Sequence, residues 1–225
     1  VTALPLSAHA DESQVTRVKP LLEGRNCVVV GSAPLPTNTA EILPGECVIA
    51  VNGSISSFTP PADLWVLNSK LQDKPGDGTI KPMHKTMLRQ GKGRTAGHLL
   101  LLRGPKVASE GYTLATLEAL GVQYQSWSVL DKPTKRWFEG QVCHRTSENR
   151  PCSAGVLVTA IALWCGAAHV RMVGFSFSPG YQYLPKVQPA YWWRDHVDAD
   201  RRALKALATS FGDRLSGPIL AKVAA

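Results

Sequence analysis

Asn26-Cys27-Val28-Val29-Val30-Gly31-Ser32-Ala33-Pro34 is a short β-rich run that stops abruptly in a glycine, a serine and a proline. A strand with no polar alternation is buried on both faces, as in a parallel sheet covered by helices on each side. The turn chemistry that follows ends it. A buried strand running into such a turn is how a nucleotide-binding α/β sheet begins. The pattern recurs twice: Cys47-Val48-Ile49-Ala50-Val51 ends at Asn52-Gly53-Ser54, and Leu64-Trp65-Val66-Leu67 ends at Asn68-Ser69. In open α/β sheets ligands bind just beyond the carboxyl ends of the strands. Ser32, Asn52 and Asn68 are therefore expected to converge on one crevice. The Gly31 turn is neither GxGxxG nor a P-loop, and by itself it is equally an ordinary strand-to-helix turn.

Outward from these strands the chain reads as one α/β domain over residues 1–225, with a mainly parallel sheet. Residues 1–20 are polar with scattered proline and read as a loose arm. Residues 70–97 read as a long connection, and His98–Leu102 as a further strand. Tyr112–Leu120 reads as a helix stopped by Gly121. From Gln125 to Asn149 the pattern is irregular and aromatic, which suggests an insertion or lid; 178–195 is the other place for one. Ser153–Cys165 is Ala-rich and apolar and predicts a helix buried on most sides. His169–Gly174 predicts the strand after it, and Ala199–Phe211 a helix with one charged face.

The 225 residues suit one domain, or one domain with a lid. Apolar residues at 44% and charged residues at 19% exclude general disorder. The formal charge of +8 fits an anionic partner as well as a merely basic surface. Lys and Arg never form a run of five and do not interleave with aromatics, which argues against nucleic acid. Five cysteines without a CxxC pair read as reduced thiols, three of them core residues, and point to a reducing compartment. Cys143 and His144 lack a second pair at zinc spacing, so no metal site is expected. No stretch has the ~18 apolar residues that a membrane span needs.

The chemistry-bearing residues cluster between Arg150 and Leu204. Small residues at Ser153-Ala154-Gly155, at the start of a buried helix, let a ligand approach free N–H groups and the positive end of the helix dipole. The plain alternative is a serine N-cap with close packing at the glycine. His196 stands at a helix start between Asp195 and Asp198, where a carboxylate neighbour can hold an imidazole for proton abstraction. It reads equally as a surface histidine. Tyr181 and Tyr183 offer phenols that can donate to a leaving phosphate without becoming charged; otherwise they are packing aromatics. Tyr191-Trp192-Trp193 reads as a sugar platform or as a clamp on the last helix.

Taken together and in order, these segments resemble the bacterial sialyltransferases of glycosyltransferase family 42. The resemblance is best from Arg150 to Leu207 and looser from Asn26 to Asn68. It rests on Ser153-Ala154-Gly155-Val156 opening an Ala-rich helix, and on Gly174-Phe175-Ser176-Phe177-Ser178 closing the next strand. It rests also on His196 ahead of Asp200, Ala203 and Leu204. It implies a variant GT-A fold: a Rossmann-like nucleotide-binding domain with a small lid. It further implies inverting transfer from a CMP-sugar to a glycan hydroxyl, with no metal or other cofactor required. His196 would be the base, and Tyr181 or Tyr183 would steady the departing phosphate. Gly31, Ser32, Asn52, Asn68, Ser153, Ala154, Gly155 and Ser176 would hold the nucleotide. The partners implied are the CMP-sugar donor and a glycan acceptor, lipid-linked or not, at a bacterial cell surface. A cytoplasmic location, at the inner face of the membrane if the protein associates peripherally, would follow.

Three positions depart from the family pattern: Ser32-Ala33 replaces Asn-Gly, Ser176 replaces an aspartate, and Ser178 replaces a tyrosine. They leave the donor open between sialic acid and a related 3-deoxy-ulosonic sugar. Two other readings stay open: a phosphoryl-transfer enzyme resembling the pterin diphosphokinases, and a non-catalytic nucleotide- or glycan-binding module.

Overall fold

The computed structural model describes residues 12–37, 39–68, 82–102, 110–143, 151–178 and 192–224. Seven strands form one sheet: β1 (Asn26–Val30), β2 (Cys47–Val51), β3 (Ala62–Asn68), β4 (Thr95–Leu102), β5 (Gln123–Leu130), β6 (His169–Val173) and β7 (Leu215–Ser216). Their order is β5-β4-β3-β2-β1-β6-β7, and every pairing is parallel. The α/β class and the parallel sheet expected from the three strand runs are therefore what the chain adopts. The order descends from β5 to β1 and then jumps to β6, so the topological switch point lies between β1 and β6. That is where an open α/β sheet leaves a crevice.

The period of two along each strand divides the core between the two faces. Cys27, Val29, Ile49, Val51, Leu64 and Val66 face one way. They pack on α1 (Glu12–Leu22), α4 (Lys132–Cys143), α5 (Ala154–Trp164), α6 (Trp192–Phe211) and α7 (Pro218–Ala224). Val28, Val30, Val48, Ala50, Trp65 and Leu67 face the other way, toward α2 (Pro82–Arg89), α3 (Glu110–Ala119) and a 3-10 turn at Asn52–Ser56. α5 is the central helix: Gly155 through Leu163 are all buried. Edge-to-face contacts of Trp164 with Trp137 and Phe211 tie α4, α5 and α6 together.

Four expectations need correction. The polar start is not an arm throughout, because Glu12–Leu22 is helical; residues 1–11 lie outside the described residues. The connection at 70–97 contains α2, and β4 begins at Thr95. The irregular stretch from Gln125 is an edge strand followed by a helix, β5 and α4, as far as Cys143. An edge strand leaves most of its outer residues exposed, Trp127 among them, so no apolar alternation marks it. Asp131 caps α4 through the Thr134 N–H at 2.8 Å, but Gly140 interrupts the helical pattern. Finally, α6 begins at Trp192, which places His196 in its second turn and not at its start. The small strand β7 and the helix α7 were not anticipated.

Candidate active site

The carboxyl ends of β1, β2, β3 and β6 meet α4, the start of α5 and the second turn of α6 around a cleft of about 320 Å³. Gly31, Ser32, Asn52 and Asn68 line it from the sheet, as their positions at strand ends predict. Ser153, Ala154, Gly155, Ser176 and His196 line it from the other side. Tyr181 and Tyr183 lie outside the described residues, as do Tyr191 and the side chains of Trp192 and Trp193.

At the switch point β1 and β6 continue their pairing into the turns. The Gly31 N–H donates to Val173 O at 2.8 Å, and the Ala33 N–H to Gly174 O at 2.9 Å. A Cβ on Gly31 would run into the Gly174 carbonyl, and Gly174 itself has a φ of +71°. Only glycine at both positions lets the two chains approach this closely and still turn outward. Gly155 repeats the theme, since a Cβ there would stand 2.5 Å from the Phe175 ring. The glycine is thus needed for close packing of α5 on the segment after β6, and the same absence of a side chain opens the start of α5 to a ligand.

Asn52 is held in the left-handed region, with φ +53°, where a short amide is better tolerated than most side chains. Its backbone carbonyl accepts the Trp65 indole N–H at 2.7 Å, and its Oδ1 accepts the Asn68 N–H at 3.1 Å. Among the described residues its Nδ2 has no acceptor, and it is the side-chain donor that borders the cleft. The Ser32 hydroxyl donates to Val51 O at 3.3 Å. Asn68 Oδ1 is buried and has no hydrogen-bond partner among the described residues. An acceptor left in that state costs about 1–3 kcal/mol, and a donor on a bound molecule would satisfy it.

The plain reading of Ser153 as a hydroxyl N-cap does not hold. Its position is that of the cap, but its side chain caps nothing in α5. Its N–H donates instead to Asp200 Oδ1 at 2.6 Å, and its hydroxyl also bonds that carboxylate. The first-turn amides of α5 then have no acceptor within the helix and border the cleft. His196 Nδ1 lies 3.0 Å from Pro151 O. A carbonyl can only accept, so Nδ1 carries the proton and neutral His196 has its lone pair on Nε2. Arg201, on the same helix, covers the Phe177 ring at 4.7 Å and pins the segment after β6 against α6. Asp200 is partly buried; loss of solvation raises its carboxyl to about 6, opposed by the Ser153 hydrogen bonds and the nearby His196.

Several lining residues were missed. Lys135 and Glu139 form an ion pair at 3.6 Å on α4, with the glutamate side chain only 2% exposed. They lie in the stretch read as irregular, so no helical spacing marked them. In the sequence Asp200 stands only as a marker of the family resemblance on a charged helix, with no role of its own. Its role depends on a partner in another helix. Pro151 and Cys152 also border the cleft. Among the described residues, no group of three His, Cys, Asp or Glu could hold a metal ion. No helix among them is long and apolar enough to cross a membrane.

No protein-family model matches the chain, and no curated protein matches it. Solved structures do. One is the sialyltransferase CstII from Campylobacter jejuni in complex with cytidine-5'-monophosphate (TM-score 0.54, 13% identity, covering 87% of this chain and 80% of that one). Another is the monofunctional alpha-2,3-sialyltransferase Cst-I from Campylobacter jejuni (TM-score 0.53, 13% identity, 86% and 75%). A third is CST-II in complex with a trisaccharide acceptor and CMP (TM-score 0.52, 13% identity, 86% and 80%). The chain therefore has the fold of these sialyltransferases.

Proposed function

We propose that this chain, which shares its fold with the Campylobacter jejuni sialyltransferases, is itself a CMP-sugar-dependent glycosyltransferase. The observation that carries the reading is the convergence of Ser32, Asn52, Asn68 and the start of α5 on the switch-point cleft, with His196 at its edge. The donor sugar is sialic acid or a related 3-deoxy-ulosonic acid, and the acceptor is a glycan hydroxyl. A bacterial cell-surface glycan such as lipopolysaccharide, built on a lipid carrier at the inner face of the membrane, suits the basic charge of the chain.

In the reaction the acceptor oxygen attacks the anomeric carbon from the face opposite the phosphate. The new C–O bond forms as the bond to the phosphate oxygen breaks, CMP leaves with that electron pair, and the configuration inverts. The hydroxyl proton passes to His196 Nε2, which the Pro151 carbonyl leaves with its lone pair. The first-turn amides of α5 face the anionic group, and Asn52 Nδ2 and Asn68 Oδ1 supply a donor and an acceptor to the nucleoside. Tyr181 or Tyr183 is assigned to the departing phosphate. No metal is assigned a role.

A thermal-shift panel of CMP, CDP, UDP, GDP and ATP, with Mg²⁺ and with chelator, tests the assignment. Stabilisation by CMP that is unchanged by chelator is expected. A response to ATP with Mg²⁺ alone would replace this reading with phosphoryl transfer. CMP binding without consumption of any CMP-sugar would leave a non-catalytic binding module.

A further inference from the structure

Two bonds pass from α6 to the three residues in front of α5. His196 Nδ1 donates to Pro151 O at 3.0 Å, and Asp200 Oδ1 accepts the Ser153 N–H at 2.6 Å. Residues four apart share a helix face, so one face of α6 holds residues 151–153 at both ends. This short segment sets the direction of the α5 amides, and its carbonyl decides which nitrogen of His196 carries the proton.

The carboxylate is more than this packing needs. An asparagine would accept the same N–H through its Oδ1 without placing a charge in a partly buried position. The charge is instead costly there, because burial outweighs the hydrogen bonds from Ser153 and raises the carboxyl. A group that destabilises the resting fold by being charged has a use if a neighbour becomes positive during the reaction. His196, four residues away on the same face of α6, is that neighbour. The other ionisable groups lining the cleft are Cys152 ahead of α5 and the Lys135–Glu139 pair of α4.

We propose that Asp200 is a positioning residue for catalysis: it fixes the 151–153 segment against α6 and, as a carboxylate, stabilises the imidazolium that His196 becomes on taking the acceptor proton. The inference rests on the assignment of His196 as the base. Because an asparagine keeps the bond to the Ser153 N–H that holds the Pro151 segment, loss of the Asp200 charge alone weakens the base without misplacing it.

The test compares wild type, His196→Ala and Asp200→Asn in CMP release from CMP-sialic acid across pH, with CMP affinity measured by calorimetry. For Asp200→Asn the expected result is CMP affinity within about threefold of wild type and kcat at least about tenfold lower, with its acidic limb moved to lower pH. Unchanged kcat and pH profile in Asp200→Asn, with His196→Ala inactive, would overturn this inference alone. An Asp200→Asn chain that unfolds or loses CMP binding would also overturn it, leaving the carboxylate a purely structural role. An active His196→Ala would remove His196 as the base and this inference with it, and a wild type that neither binds CMP nor releases it from the donor would remove the proposed function as well.

Discussion

The imidazole of His196 and the carbonyl of Pro151 meet at 3.0 Å across 45 positions of sequence. That bond turns a helix-face histidine into an oriented one, because it assigns the Nδ1 proton and puts the lone pair of the neutral ring on Nε2. If the assignment as base is right, His196→Ala lowers kcat by about 10² or more and leaves CMP affinity close to wild type. Steady-state turnover with calorimetric CMP binding checks it, and near-normal turnover would remove His196 from the mechanism.

Asn68 offers a separable test of the nucleotide site. Its buried Oδ1 makes no bond to the described residues, so Asn68→Ala gives up no hydrogen bond between that atom and them. Removing an unbonded buried acceptor is not expected to lower stability in urea, while CMP affinity falls by about three- to tenfold, the value of one ordinary hydrogen bond. Equal CMP affinity in the variant would place the nucleotide elsewhere.

Gly31 and Gly140 should respond in opposite directions to the same change. A Cβ at position 31 collides with the backbone of Gly174, which cannot swing aside; one at Gly140 on α4 meets nothing within 4 Å. Gly31→Ala is expected to cost about 1–3 kcal/mol through overpacking. Gly140→Ala is expected to stabilise by roughly 0.5–1 kcal/mol through helix propensity. Denaturant unfolding of the two variants side by side decides it, and a neutral Gly31→Ala would refute the tight β1–β6 crossing.

Asp200 makes stability depend on pH in the direction opposite to an ion-paired carboxylate. Its folded carboxyl stands at about 6 against an ordinary 3.8, so the folded chain holds the proton more tightly than the unfolded one. The contribution is least unfavourable below the unfolded value, and stability falls as pH rises between the two. Asp200→Asn should therefore be more stable than wild type above pH ~6, by on the order of 1–3 kcal/mol, with the gap closing toward pH ~4. Thermal unfolding across that range is the measurement. A variant less stable at neutral pH would show that the charge supports the fold.

The elements most legible in the chain were those whose local pattern is complete. β1, β2 and β3 are unbroken apolar runs closed by turn residues, and α5 is an unbroken Ala-rich helix. Burial on both faces removes the need for polar alternation, so the sequence alone announces a covered parallel sheet. The ends of those strands, Ser32, Asn52 and Asn68, and the small residues at 153–155 followed directly. β5 was not legible because an edge strand carries exposed residues on its outer face, Trp127 among them. α4 was not, because Gly140 and Pro133 blur its period.

What the sequence by itself determined is the layered α/β architecture and the small polar residues at its strand ends, since both follow from periodicity and turn chemistry within a few positions. Only the tertiary structure decided that Ser153 is tied to Asp200, that Pro151 orients His196, and that Lys135 and Glu139 reach the cleft. These are contacts between elements brought together by the order of the sheet and the burial of α5. A hydrogen bond spanning 45 or 47 positions leaves no periodic mark on the residues between.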